Sequence, residues 1–390
     1  MTKPNLPAAP EIDPVGTAQA LPQPARISPD AAEVARHGRI ALPAWLRKAL
    51  ITLVGLFLFI LALQLLKKGA GVYGRQIRDF LDISSSVNSL GFGWLLAYVF
   101  LSGSPVAAIA VTLFAAGTIT NLQAFTMITG SRLGASFIVL FVGFIYYLRG
   151  HHRAASISIG VLALLTTAAI YLPALGIGYW LLTSGVLGVL QVSATTPIAS
   201  IIDALYGPIL DLIVRWNLPG WMVFFAGVGA LLLAFSLLDR ALPEMNAERS
   251  AFQRIGRLVY RPMAMFLLGA AVTSVTLSVS VSLSILVPLS AKGLVRRENT
   301  PPYIMGANIT TFIDTLIAAL ITGGPAAFTI VLVEMISVAI LSLLVLVLCY
   351  RWFERATLRL QELIIHDNRT LAAFLCIMLV VPILLLLVKY

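Results

Sequence analysis

The chain has 390 residues, 59% hydrophobic and only 11% charged, with a mean hydropathy of +0.94 and a formal net charge of +10. That composition leaves too little polar surface for a water-soluble fold of this length. The basic residues sit in short groups beside apolar segments, a pattern of loops facing anionic headgroups that speaks against nucleic acid as a partner.

Residues 1–44 hold eight of the twenty prolines, and no apolar run follows Met1 within signal-peptide distance. They read as a Pro-rich, disordered cytoplasmic tail. A first crossing is expected over 49–66, followed by a charged connector with Lys67, Lys68, Arg75, Arg78, Asp79 and Asp82. The next uncharged stretch is rich in Ser, Gly and Asn at 84–93 and 102–105. A plain lipid-facing helix does not suit it, and a re-entrant hairpin covered by protein does.

A stiff apolar segment at 133–148 ends on the basic turn Arg149–Arg153, and two crossings are expected within 156–200, split near Pro173 and Gly176. Another is expected at 221–238, then an amphipathic interfacial helix over 239–261, with Phe252, Ile255, Leu258 and Val259 among Arg254, Arg257 and Arg261. Crossings at 327–350 and 370–388 close the chain. The expected fold is an all-α polytopic membrane protein with about eight crossings, by the length rule for apolar helices. It divides into the tail (1–44), a first transporter repeat (45–150), connecting helices (151–260), and a second repeat with C-terminal helices (261–390).

Two stretches repeat at a constant offset of 176 residues. Gly93, Leu101, Ser102, Ser104, Ile109, Gly117 and Gly130 recur as Gly269, Leu277, Ser278, Ser280, Ile285, Gly293 and Gly306. Duplicated halves with Gly- and Ser-broken apolar segments in matching places point to the binding site of a secondary transporter. An inverted arrangement is expected, because midplane sites at broken helices arise that way.

In each copy a serine cluster precedes a glycine motif by 28 residues: Ser102 and Ser104 before Gly130, Ser131 and Arg132, and Ser278, Ser280 and Ser282 before Gly306. Hydroxyls and freed carbonyls suit hard cations, and hydroxyls with free helix N-terminal amides suit an oxyanion. The bland reading of one such cluster is close helix packing by small residues. The alternation at 278–284 suggests an extended segment with its hydroxyls on one side. Cys349 and Cys376 lie in apolar segments with no metal or redox spacing and read as packing residues. No HExxH, GxSxG or Ser–His constellation marks an enzyme.

The motifs GANITT (306–311) and GSRLGAS (130–136), with LSGSPVA (101–107) and LSVSVSL (277–283), resemble the paired QSSSATT-like and GANIGTT-like stretches of the type II sodium/phosphate cotransporter family. The resemblance covers about 84–145 and 260–322. Both glutamines are missing, and so is the second glycine of GANIGTT. It implies a twofold-repeated carrier whose hairpin tips bind inorganic phosphate and Na+ near the midplane, with no cofactor beyond the coupling ion. Ser102, Ser104, Ser278 and Ser280 would ligand cargo or ions, with Asn308, Thr310 and Thr311 beside them.

Arg132 stands where the first repeat would carry an asparagine, paired with Asn308 in the second. Its expected role is a contact to the anion, a fixed charge in place of a sodium, or a structural salt bridge with Asp314. Asp203, Asp211 and Glu334 are expected at helix ends facing water, with a proton relay as the other reading. The expectation is a sodium-coupled symporter of phosphate or another small anion in the cell membrane, the inner membrane if the source is bacterial. The other reading is a transport-inactive relative serving as a membrane regulatory subunit. Oligomeric state is left open, a homo-oligomer included.

Overall fold

The computed structural model describes residues 43–80, 83–148, 153–186, 196–216, 218–241, 261–291, 295–322 and 324–388. The Pro-rich tail, most of the basic turn after 148, residues 187–195 and the expected amphipathic segment from 242 fall outside these residues. Among the described residues every regular element is a helix. From Lys48 onward the chain forms one compact unit. In order the α-helices are α1 (Ala44–Phe80), α2 (Ser86–Phe100), α3 (Gly103–Ala115), α4 (Asn121–Leu148), α5 (Arg153–Ser184), α6 (Thr196–Arg215) and α7 (Gly220–Ala241). They continue with α8 (Pro262–Thr276), α9 (Val279–Ser284), α10 (Leu286–Ala291), α11 (Thr300–Thr310), α12 (Phe312–Thr322), α13 (Gly324–Leu344), α14 (Tyr350–His366) and α15 (Asn368–Leu386).

Seven helical segments among the described residues are long and apolar enough to cross a membrane. This is an all-α polytopic membrane protein. Pro173, where a split between two crossings was expected, lies inside the 32-residue α5, which does not break there. Neighbouring helices at membrane depth let a proline pass without ending the helix.

The helices α2 and α8 each have 15 residues. At about 1.5 Å per residue they reach roughly 22 Å, short of the roughly 30 Å of hydrocarbon. Each ends on a leucine in the left-handed region, Leu101 with φ 49° and Leu277 with φ 52°. The chain then turns back, through Ser102 into α3 and through Ser278 into α9 and α10. Both hairpins are therefore re-entrant in length and connection, as the polar apolar-break pattern suggested.

The offset of 176 recurs in the helix boundaries: 86–100 corresponds to 262–276, and 103–115 to 279–291. Contacts recur at the same offset. A Cβ at Gly130 would fall on the Leu90 carbonyl oxygen beside the Trp94 amide, and one at Gly306 on the Phe266 carbonyl oxygen beside the Ala270 amide. Gly93 lies against the Met127 carbonyl and Gly269 against that of Tyr303 in the same way. Glycine here lets the first hairpin arm and the long helix approach at backbone contact. The returning arms pack across the molecule, α3 against α12 and α9 against α4.

Two local expectations change. The serines at 278–284 are not on an extended strand: Ser278 is extended and caps α9, where Val279–Ser284 is helical. Helical spacing puts Ser280 and Ser284 on one face and turns Ser282 inward. Glu334 is not at a helix end in water but buried in the middle of α13, whereas Asp203 and Asp211 are exposed on α6.

Candidate functional site

The two hairpin tips meet α7 around a cavity of about 700 Å³. Ser102 comes from the first tip, and Ser278, Ser280 and Ser284 come from the second. Helix α7 contributes Ser236, Asp239 and Arg240 to the same lining. Ser102 occupies the N-cap of the 13-residue α3 without using its hydroxyl in the cap. That hydroxyl and the first amides of α3 are unspent donors, the arrangement that suits an oxyanion at a helix N-terminus. Ser278 differs, because its hydroxyl accepts from the Val281 amide at 3.3 Å. Among the described residues, Arg240 is the one cation of the cavity lining.

A second polar group lies deeper, at the first hairpin's returning arm. Arg132 of α4 is 2% exposed. Its Nη1 donates to Ser104 Oγ at 3.5 Å and Thr311 Oγ1 at 3.2 Å, and its Nη2 donates to Thr315 Oγ1 at 2.6 Å. Nη2 also pairs with Asp314 Oδ1 at 3.5 Å, and Thr315 Oγ1 donates to that same oxygen at 2.8 Å. The guanidinium carbon sits 4.8 Å from the centre of the Phe312 ring. Thr311 is the break between α11 and α12, so the charge is held at a helix interruption. The pair ties α4 of one half to α12 of the other. A guanidinium at membrane depth requires such partners.

The residues singled out in the sequence therefore separate into three places. Ser102, Ser278 and Ser280 line the cavity. Ser104, Arg132, Thr311 and Asp314 form the buried ionic cluster. The others satisfy the scaffold. Gly130 and Gly306 are helix contacts, and Ser131 donates to the Ile128 carbonyl at 2.7 Å. Ser282 accepts from Thr273 and bonds to the Tyr303 hydroxyl, closing the second hairpin on α11. Asn308 donates to Thr167 Oγ1 at 3.1 Å, and its carbonyl receives the Tyr171 hydroxyl at 3.0 Å. Thr310 donates to the Ala270 carbonyl of α8 at 2.9 Å.

Ser236, Asp239 and Arg240 escape a sequence reading because they stand outside the repeats, at the end of an ordinary apolar helix. Thr315 escapes because only the fold brings it to Arg132. Asp239 and Arg240 were expected to open the interfacial segment 239–261, whereas they lie in the last turn of α7.

The chain is similar to a phosphate transporter. It is 32% identical over 114 residues to the human sodium-dependent phosphate transport protein 2B, a match covering 26% of this chain and 16% of that relative. The chain thus aligns with about a sixth of the relative's length. No family model matches the chain, and no solved structure matches it.

Proposed function

We propose that the protein is a secondary active carrier of phosphate or a similar small oxyanion, working by alternating access, and is not an enzyme. One observation carries this reading: Ser102 and Ser278, which stand 176 residues apart at the tips of two short hairpins, line the same cavity. Paired broken helices meeting at membrane depth are the architecture of carriers with internal repeats. The unspent Ser102 hydroxyl, the start of α3 and Arg240 supply donors and charge for an anion. Sodium is the proposed coupling ion, since the relative's transport is sodium-dependent by name and a dianion entering a negative cell needs compensating cations.

The test is uptake into proteoliposomes of radiolabelled phosphate, sulfate and arsenate, with sodium or potassium outside. Saturable phosphate uptake that collapses in Arg240→Gln and Ser102→Ala is expected. Absence of uptake of all three anions would favour the second reading, a transport-inactive membrane subunit. The observation favouring that reading is the Arg132–Asp314 pair, which ties the two halves together.

A further inference from the structure

Arg132, Asp314 and Glu334 are the acidic and basic side chains buried among the described residues. Among the described residues, two carboxylates and one guanidinium leave the interior one positive charge short. Arg132 pairs with Asp314, its Nη atoms taken up by that carboxylate and by three hydroxyls, while its Nε and Asp314 Oδ2 have no hydrogen-bond partner. Glu334 is left with a single hydroxyl: Oε1 receives Thr129 Oγ1 at 2.7 Å, and Oε2 has no partner. Glu334 is 2% exposed.

An uncompensated carboxylate at this depth costs several kcal/mol, far more than its neutral acid. The elements against α13 offer little to balance it. Among described side chains, α4 brings Arg132, α5 brings Tyr171 and the exposed Tyr179, α11 brings Tyr303, α12 brings Asp314, and α3 brings no titratable group. Tyr303 is bonded to Ser282, and Tyr171 donates to the Asn308 carbonyl. A sodium ion would need several oxygen ligands, and one threonine hydroxyl is what Glu334 has.

We propose that Glu334 is a proton-binding site of the carrier, occupied in this conformation and emptied when α4 moves against α13. An O–H bond forms on Oε2 with a proton taken from water on one side of the membrane, and breaks to water on the other. The exchange changes no oxidation state. Thr129 and Glu334 stand on different helices, α4 and α13, so a relative shift of the two removes the hydrogen bond and opens the carboxyl to water. Coupling of this proton to transport rests on the carrier reading above; the protonation itself does not.

The test is infrared spectroscopy of the purified full chain in lipid nanodiscs at neutral pH. A carboxylic-acid carbonyl band is expected, and it is lost in Glu334→Gln. A spectrum of the unaltered protein without that band overturns the proposal and requires no variant to fold. Loss of the band on adding sodium chloride but not potassium chloride would make sodium the occupant and overturn it equally. A second arm measures phosphate uptake into proteoliposomes under an inward proton gradient. Stimulation in the unaltered protein, lost in Glu334→Gln, is expected, and uptake indifferent to the gradient overturns the coupling. No uptake under any gradient would overturn the carrier reading alone, because the infrared arm uses no substrate.

Discussion

The two hairpins share a backbone and differ in what they do with it. Each rises 15 residues, turns on a left-handed leucine and returns through a serine. In the first, the serine hydroxyl is unspent and the returning arm is one 13-residue helix. In the second, Ser278 caps its helix and the arm is broken at Ile285 into two six-residue pieces. The long helices behind them diverge further. Arg132 reaches across to Asp314 and three hydroxyls, while its counterpart Asn308 bonds to α5. Backbone geometry set by small residues at close contacts tolerates divergence of the polar side chains that it carries. At these matching positions the first half carries a buried guanidinium and the second a neutral hydrogen-bonded amide.

The comparison breaks most sharply at Arg132. Removing one partner of a buried ion pair leaves a bare charge and costs about 3–5 kcal/mol, whereas replacing both by apolar residues of similar volume is often neutral. Arg132→Ala and Asp314→Asn are therefore expected to lower the thermal stability of the detergent-solubilised protein strongly, and Arg132→Met with Asp314→Leu to recover most of it. Asn308→Ala leaves Thr167 unpaired and is expected to cost about 1–3 kcal/mol. Equal losses for Arg132→Ala and Asn308→Ala would show that the charge adds nothing to the first half.

The shared part of the comparison is tested at the glycines. Gly130→Ala and Gly306→Ala each drive a methyl into a backbone carbonyl of the facing helix. Overpacking of this kind costs about 1–3 kcal/mol, and the two variants are expected to lose similar stability. A loss confined to one of them would mean that the contacts are not equivalent.

The tips are separated by a smaller effect. Ser278→Ala removes a used cap and is expected to cost about 1 kcal/mol in unfolding assays. Ser102→Ala is expected to leave the melting temperature unchanged and to weaken phosphate binding in equilibrium dialysis. The smallest effect belongs to the turn leucines. A left-handed conformation costs a leucine about 1–2 kcal/mol, and glycine gives back about 0.5–1 in chain entropy. Leu101→Gly and Leu277→Gly should thus each stabilise slightly, by a few tenths in a denaturation series, and a destabilised variant would show that the side chain's packing outweighs the strain.

Much of the frame was legible in the residues. Uncharged runs marked the crossings, and Ser–Gly–Asn richness at 84–93 and 102–105 marked a hairpin rather than a span. The constant offset returned in the helix boundaries because the matching glycines occupy matching helix contacts. The site was only half legible. Serine, asparagine and threonine carry the same donors whether they face a cavity or a neighbouring carbonyl. Asn308, Ser131, Ser282 and Thr310 bond to neighbouring protein groups, whereas Ser102, Ser278 and Ser280 line the cavity. Pro173 misled because proline's cost in a helix depends on neighbours that a sequence does not show.

By itself the sequence determined that this chain is helical and crosses a membrane, that it contains two matching serine–glycine segments, and that one of them carries an arginine where the other has asparagine. Those properties depend on local composition and spacing, which hydrophobic transfer and backbone sterics read residue by residue. Tertiary structure alone decided which hydroxyls line the cavity, that Arg240 joins them, that Arg132 is neutralised by Asp314 and that Glu334 is not. The physical reason is distance in the chain. Arg132 and Thr311 are 179 residues apart and Thr129 and Glu334 are 205, so only the packing of whole helices brings their polar atoms within hydrogen-bonding reach.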